Sequence, residues 1–383
     1  MKIMILVPGL PIQHNKIKGG VHSAVYNLLE GFANMPIQVR VVSFNSDIDS
    51  AQTEMHSSNI EICYEPEGKW PFHSLNYLFN GSSILQRHLA AFQPDVVHFE
   101  EGNSFYFVGA FLKIKQPKLV TIHGNALKES ITKTGWKQKI TWVFNGLVNL
   151  LFQPKNIVFL SEISKQQFNP TAVYQTAIIP NAIKSVFFRI PVKEQTDNRL
   201  LYIGVINNRK NILLALQTIV ALRNKGFVYT LDVVGGYEQT VYEQQITKFI
   251  QANQLENLVH FHGWVNQDEI IQFISDADIL IMTSLAETLP MVIAEAKSAG
   301  KLVVSSAVGG IATMIEDGVD GYLFDIEDSK KLFDTLMSLH NNHALVHRIS
   351  MAAKTAALQK CSSNSVADQT IGFYHQLKIN QHK

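Results

Sequence analysis

Cysteine is nearly absent. The 383 residues hold two, Cys63 and Cys361, too few for a disulfide framework or a cysteine-based structural zinc site, which suits a reducing compartment. Charge of one sign is also missing: lysine and arginine total 33 against 32 acids. A net charge of +1 supplies no chain-wide field of the kind that holds nucleic acid nonspecifically, which argues against a dedicated DNA or RNA binder. Long apolar runs are lacking as well. The stretch from Trp142 to Phe152 is broken by Asn145 and Asn149 and falls short of the roughly 20 residues that cross a bilayer. The first residues, MKIMILVPGLP, have no small-residue cleavage signal behind them and read as a buried strand, not a signal peptide. These absences predict a cytoplasmic protein, soluble or peripheral at the inner face of the membrane.

What is present is ordinary globular composition, 46% hydrophobic and 17% charged, at a length that about 100 to 200 residues per domain divides in two. Short β-branched runs alternate with helical patterns: IMILV, VRVVSF, DVVHF, KLVTIH and NIVFLS, then LLYIGV, YTLDVVG, VHFHG, DILIMTS and KLVVSS. Runs this apolar, bounded by Gly, Pro, Asn or Asp, suit parallel strands covered on both faces. The predicted class is α/β, with two doubly wound Rossmann-like domains facing each other across a cleft. The polar, proline-containing stretch after IIPNAI places the boundary near residues 188 to 198. The domains are then 1–190 and 191–365, with a C-terminal helix at 366–383 packing back on the first. Residues 1 to 187 carry 16 Lys/Arg and 12 Asp/Glu, a net of +4, and the remainder 17 and 20, a net of −3, so the first half is the better match for an anionic partner.

The densest group of chemistry-bearing residues lies between Thr283 and Phe324, TSLAETLPMVIAEAKSAGKLVVSSAVGGIATMIEDGVDGYLF. A strand runs into a polar turn holding Glu287, Pro290 opens a helix, Glu295 lies about a turn inside it, and Gly300 ends it. Free N–H groups and the dipole at such a helix mouth favour a phosphate. Glu295 can accept hydrogen bonds from vicinal hydroxyls such as those of a ribose, and Glu287 from another polyol. A second helix mouth follows Gly309-Gly310, where glycine permits close backbone approach to a ligand. Taken singly, glutamates near a helix start are also simply good helix formers that complement the dipole.

The whole string resembles the retaining glycosyltransferases of family 4, which have the GT-B fold. That family's pattern of an acid, seven residues and a second acid is matched by Glu287 and Glu295-Ala296, followed by Ala299-Gly300 and Gly309-Gly310. Upstream, VHFHGWVNQDEIIQFISDADILIMTS and IIPNAI are similar to its segments, as are KGGVHSAVYNLLEGFA and TIHG in the first half. The resemblance implies a nucleoside diphosphate sugar, such as a UDP-sugar, as donor substrate. The acceptor is a hydroxyl of a glycan or lipid-linked molecule, in cell-surface polysaccharide or glycolipid biosynthesis. It implies hexosyl transfer with retention by front-face displacement, so that no nucleophile or general base is assigned, and no cofactor or metal. By it Glu295 binds the ribose, and Glu287 with Thr288, Leu289, Pro290 and Met291 binds the donor sugar and diphosphate. Gly19 and Gly20 bring the first helix mouth to the phosphates. Lys210, six residues after Gly204, matches the diphosphate-binding lysine, and His123 the histidine near the donor sugar. Lys210, Glu287 and His123 are the expected catalytic residues. The chemistry agrees, because a departing diphosphate needs cations and N–H dipoles.

The sequence departs from the pattern in two places. Val205 stands where an arginine commonly pairs with the lysine, and Thr313 where an acid follows the glycine pair. Arg209, beside Lys210 in NNRKN, can supply the missing guanidinium. These departures keep a catalytically silent nucleotide-sugar-binding protein as one alternative, and a nucleotide-sugar epimerase of similar fold is another. Asp276-Ala277-Asp278 spells a metal-binding acid pair, but it lies where a helix ends and a strand begins, so it is read as capping. His98, in DVVHFE, is placed like His123 and is not assigned a role. Lys128, Lys133, Lys137, Lys139 and Lys155 face only Glu129 and interleave with Trp136, Trp142, Phe144 and Phe152. With Ile140, Phe144, Leu147 and Leu151 at helical spacing, the segment suits either an ordinary core-facing helix or one docking on an anionic membrane.

Overall fold

The computed structural model describes residues 1–12, 20–45, 47–66, 81–100, 114–123, 155–168 and 175–381. The chain divides into two compact units, Met1–Ala182 with Ser363–Lys383, and Ile183–Ser362. The division thus falls eight residues before 190. The reason is packing: Ile183, Phe187 and Ile190 are buried in the core of the second unit, and Lys193 donates to the Asp276 carbonyl and to Asp278.

In the first unit the described elements are β1 (Lys2–Leu6), α1 (Gly20–Phe32), β2 (Gln38–Asn45), β3 (Gln52–Ser57), β4 (Ile60–Pro66), α2 (Ser82–Phe92), β5 (Val96–Glu100), β6 (Lys118–Ile122), β7 (Asn156–Phe159), α3 (Glu162–Phe168) and β8 (Gln175–Ile178). The sheet order is β3-β4-β2-β1-β5-β6-β7-β8. Alternate residues of β1 enter opposite cores, Ile3 and Ile5 on one face and Met4 and Leu6 on the other, which is why the strand reads as an unbroken apolar run. β3 departs from the expected parallel pattern. It pairs antiparallel with β4 at the edge of the sheet, where its polar QTEMHS remains largely in solvent.

The second unit contains α4 (Ser185–Arg189), β9 (Arg199–Ile203), α5 (Ile212–Arg223), β10 (Thr230–Val234), α6 (Thr240–Asn253), β11 (Val259–Gly263), α7 (Gln267–Asp276), β12 (Ile279–Met282), α8 (Met291–Ser298), β13 (Leu302–Ser306), a 3₁₀ turn (Gly309–Thr313), β14 (Tyr322–Phe324), α9 (Ser329–Leu339) and α10 (His343–Cys361). Its strands are parallel in the order β11-β10-β9-β12-β13-β14. Ile279 and Ile281 of β12 face one core and Leu280 and Met282 the other. α7 begins with a capping box, in which Asn266 accepts from the Glu269 N–H and Glu269 from the Asn266 N–H, and such a cap contributes about 1 kcal/mol.

The last helix, α11 (Ser363–Gln381), belongs to the first unit and starts three residues before 366. It packs on α1 because Gly31 has no side chain. A Cβ there would lie 2.2 Å from the Ser363 carbonyl oxygen and 2.8 Å from the Ala367 Cβ. Val366, Ala367, Phe373, Tyr374 and Leu377 complete the core beneath it.

Candidate functional site

In the second unit the strand order reverses between β9 and β12, the point in a doubly wound sheet where loops part and leave a crevice. The loops after these strands, residues 204–211 and 283–290, are stitched to each other. Leu285 N–H donates to the Arg209 carbonyl at 2.8 Å, and Thr283 Oγ1 to the Asn211 carbonyl at 2.8 Å. Glu287 lies at their junction with its side chain only 7% exposed. Lys210 Nζ donates to Glu287 Oε1 at 2.5 Å, Ser284 Oγ to the same oxygen at 2.7 Å, and Arg209 Nη1 stands 3.4 Å from Oε2 while donating to the Ala286 carbonyl at 2.8 Å. Two cations therefore share one carboxylate, leaving a surplus positive charge. Arg209, 51% exposed, has the freedom to turn to an incoming anion.

Directly after this loop, Pro290 stands at the N-cap of α8, and no side chain caps the helix. Apart from that of Ile293, which donates to the Pro290 carbonyl, the N–H groups at its start are therefore open to a ligand, as expected of a phosphate-binding helix mouth. Met291 is the first helical residue, and Thr288 and Leu289 lie in the loop before it. Glu295, four residues on, has no side-chain partner among the described residues, and burial pushes its carboxyl up to about 7. A half-buried carboxylate without a donor is what a ribose diol would satisfy.

The second expected helix mouth is corrected. Residues Gly309–Thr313 form a five-residue 3₁₀ turn, and the glycines there accommodate the chain itself. A Cβ on Gly309 would lie 1.9 Å from the Glu287 carbonyl oxygen, and one on Gly310 1.8 Å from that of Thr288. The pair clamps the Glu287 loop from behind.

In the first unit, Gly20 is the first residue of α1, and Gly19 lies outside the described residues. His123 follows β6, with Nε2 2.7 Å from Glu100 Oε2. His98, in β5, has Nε2 2.6 Å from Thr121 Oγ1 and 3.4 Å from Glu100 Oε1, and Nδ1 2.6 Å from the Tyr374 hydroxyl of α11. Burial holds the His98 imidazole below its ordinary range. Burial alone would raise the Glu100 carboxyl, but the two imidazoles outweigh it and hold it low. His98, Glu100, Thr121 and His123 line a small recess that opens to solvent, together with Leu28, Val158, Leu160, Ile179 and Asn181.

Comparison with known proteins places the whole arrangement. The family model described as "Glycosyl transferases group 1" matches residues 184–356, and that described as "Glycosyltransferase Family 4" matches residues 18–185, so together they tile most of the chain. The chain belongs to the group 1/family 4 glycosyltransferases. It is 31% identical over 191 residues to the lipopolysaccharide 1,2-N-acetylglucosaminetransferase of Salmonella typhimurium, covering 47% of this chain and 48% of that protein. Among solved structures it resembles sucrose-phosphate synthase from Thermosynechococcus elongatus, with TM-score 0.78, 18% identity and 99% of each chain covered. Anabaena HepE in complex with UDP-glucose has TM-score 0.72 and 16% identity, covering 98% of this chain and 100% of that one. The fold is the GT-B fold, two parallel-sheet α/β domains of Rossmann type.

For this glycosyltransferase, of the two positions that depart from the family pattern, Val205 makes a main-chain contact that does not explain its side chain, and Thr313 has a side-chain role. The Val205 carbonyl accepts from the Tyr202 hydroxyl, and Thr313 Oγ1 donates to the Gly310 carbonyl at 2.7 Å, bracing the turn that backs the Glu287 loop. Asp278 accepts from the N–H groups of Asp197 and Arg199 and from Lys193, and Asp276 from Gln272, all at the amino ends of the strands, opposite the site. Asp278 ties the start of β12 to that of β9, and Asp276 bonds within the last turn of α7. Of the lysine-rich segment that begins at Lys128, residues 128–154 fall outside the described residues. Sequence reasoning missed Ser284, Glu100, Thr121 and Tyr374. A signal for two of them existed: His98 and Glu100, and Thr121 and His123, are each two apart and so share a strand face, with Glu100 in register with Thr121.

Proposed function

We propose that this glycosyltransferase moves a hexosyl group, with retention, from a UDP-sugar or related nucleoside diphosphate sugar to a hydroxyl of a glycan or lipid-linked acceptor. The observation that carries the reading is the convergence of Lys210 and Arg209 on Glu287, beside the uncapped N-terminus of α8 and the unpartnered Glu295. Glu295 accepts from the ribose hydroxyls, the cations and the α8 N–H groups take the diphosphate, and Glu287 aligns the cations and meets the donor sugar. The anomeric carbon–oxygen bond to the diphosphate breaks as the acceptor oxygen bonds on the same face. The acceptor's proton passes to the departing phosphate oxygen, so no protein base is required. Charge developing on the diphosphate is met by groups already in place, the largest single contribution to catalysis in many enzymes.

UDP as the nucleotide is supported by the resemblance to HepE, solved with UDP-glucose. Cell-surface polysaccharide or glycolipid assembly is supported by the lipopolysaccharide relative. His123 is assigned to a hydroxyl of the sugar, and Gly19-Gly20 to close approach of the α1 N-terminus to the phosphates. Lysine, arginine and helix N–H groups neutralise the diphosphate without a metal. The protein works at the cytoplasmic face, where the Lys128–Lys155 segment contacts anionic lipid. No helix among the described residues is long and apolar enough to cross a membrane. Thermal-shift titration with UDP, GDP and ADP tests the reading. One nucleoside diphosphate should raise the melting temperature of the wild type, and of Glu295→Ala only at about 10- to 100-fold higher concentration, and indifference of the wild type to all three would overturn the reading.

A further inference from the structure

The polar group at the carboxyl ends of β5 and β6 has a direction. An ionised carboxylate offers only lone pairs, so an imidazole nitrogen at hydrogen-bond distance from it must carry the hydrogen. Glu100 is 3% exposed, with His123 Nε2 2.7 Å from its Oε2 and His98 Nε2 3.4 Å from its Oε1, so as a carboxylate it accepts from the imidazoles. His98 is kept neutral by burial and has one donor and one acceptor nitrogen. Its Nε2, facing Glu100 and Thr121, is the donor, and its Nδ1 therefore accepts from the hydroxyl of Tyr374, whose proton burial makes hard to remove. Every partner in the chain from Tyr374 through His98 to Glu100 is satisfied. One group is left over: His123 donates Nε2–H to Glu100 at 2.7 Å, and its Nδ1 has no partner among the described residues.

We propose that Glu100 is a positioning residue that fixes His123 as its Nε2–H tautomer and so leaves the Nδ1 lone pair as an acceptor for a sugar hydroxyl. The recess that His123 borders suits such a ligand. Its lining includes the apolar Leu28, Val158, Leu160 and Ile179, Thr370, whose hydroxyl donates to the Val366 carbonyl, and Asn181, whose carboxamide has no side-chain partner among the described residues and can donate to the same hydroxyl's oxygen. Without Glu100 the ring is free to carry its proton on either nitrogen, and an Nδ1–H would oppose the hydroxyl's donor. The inference about the hydroxyl rests on the assignment of His123 to substrate made above, but the tautomer does not.

The test is long-range ¹⁵N NMR of the full-length protein labelled at histidine ring nitrogens, at a pH above the imidazole titration, with His123 assigned by the signals lost in His123→Gln. The wild type is expected to show a bare Nδ1 and a protonated Nε2, and Glu100→Gln, whose amide can donate as well as accept, a mixture of tautomers. An Nδ1–H in the wild type, or an unmoved single tautomer in Glu100→Gln, would overturn the proposal, and the wild-type spectrum decides even if the variant fails to fold. Turnover of UDP-glucose then tests the consequence. Glu100→Gln and His123→Gln should each lose about tenfold, the worth of one hydrogen bond, and the double variant no more than either alone. Undiminished turnover in Glu100→Gln despite a shifted tautomer would overturn the hydroxyl contact. If the wild type itself does not turn over UDP-glucose, the fault lies with the donor assignment, and the spectrum still decides the positioning role.

Discussion

Replacing Gly310 by alanine probes how closely the Glu287 loop must be held. The added Cβ would sit 1.8 Å from the Thr288 carbonyl oxygen and 3.0 Å from Leu289 Cγ. A carbon and a carbonyl oxygen rest at about 3.3 Å, so the two loops must part by roughly 1.5 Å. The obstacle is backbone, which cannot swing aside as a side chain would. Glu287 precedes Thr288 directly and is gripped by Lys210 and Arg209, so the displacement passes to the cations meant for the diphosphate. Misplacement of about 1 Å at a reacting centre costs on the order of a hundredfold, about 2.7 kcal/mol in the barrier, while overpacking costs about 1–3 kcal/mol of stability. Gly318→Ala serves as control. Its φ of +76° makes a side chain strained, but nothing lies within 4 Å, so it should lose about 1–2 kcal/mol of stability with turnover intact. Initial rates of nucleoside diphosphate release, with melting curves on the same samples, give both readouts. A folded Gly310→Ala with wild-type turnover would refute the clamp.

Further outcomes are expected at Glu295, at the Asp276 and Asp278 pair, and in the lysine-rich segment. Glu295→Ala should weaken nucleotide binding about 10- to 100-fold, since a hydrogen bond to a charged acceptor is worth about 1.5–3 kcal/mol; calorimetry showing unchanged affinity would remove Glu295 from the site. Because the free carboxyl ionises near about 7 and hydroxyl donors favour its charged form, affinity should rise with pH through that value, with protons released on binding. In the unliganded protein the raised carboxyl binds its proton more tightly than the unfolded chain does, so stability should fall from the ordinary carboxylate range up to about 7, a slope Glu295→Gln removes. Activity should survive EDTA, since Asp276 and Asp278 are engaged with a side-chain amide, main-chain N–H groups and Lys193; complete, Mg²⁺-reversible loss would contradict this. The Lys128–Lys155 segment should bind anionic vesicles in a salt-sensitive way, at roughly 1 kcal/mol per lysine near the surface, and cosedimentation that is equal with neutral vesicles, or absent with both, would return it to the protein core.

Most strands buried on both faces were legible because their apolar runs are continuous and sharply bounded, as in β1, β9 and β12. β3, β4, β8 and β14 were not. β4 is buried on both faces too, but Glu61 and Glu65 interrupt its IEICYEP. QTEMHS forms an exposed edge, QTAI is only half-buried throughout, and YLF is three residues long, so none of these three carries the pattern that marks a covered strand. In the site, residue type and spacing singled out Lys210, Arg209, Glu287 and Glu295, but the spacing could not say that the two cations share the Glu287 carboxylate. That depends on two loops 77 residues apart lying side by side. The glycine pair was recognised for close approach, but a sequence shows that something comes near without showing that the Glu287 loop is what does. The boundary at Ala182 escaped notice for a similar reason: the polar stretch after residue 190 looks like a linker, yet Lys193 in it is anchored to the start of β12.

The account stands on Lys210 and Arg209 as the groups that receive a departing diphosphate. The most direct measurement is the rate of nucleoside diphosphate release from a panel of nucleotide sugars by the wild type, Lys210→Ala and Arg209→Ala, with acceptor present. One donor should be consumed by the wild type. Lys210→Ala should lower that rate about a hundredfold, roughly 3 kcal/mol of transition-state stabilisation, and Arg209→Ala should lower it less but measurably. Full activity in Lys210→Ala would contradict the assignment of this loop to the diphosphate.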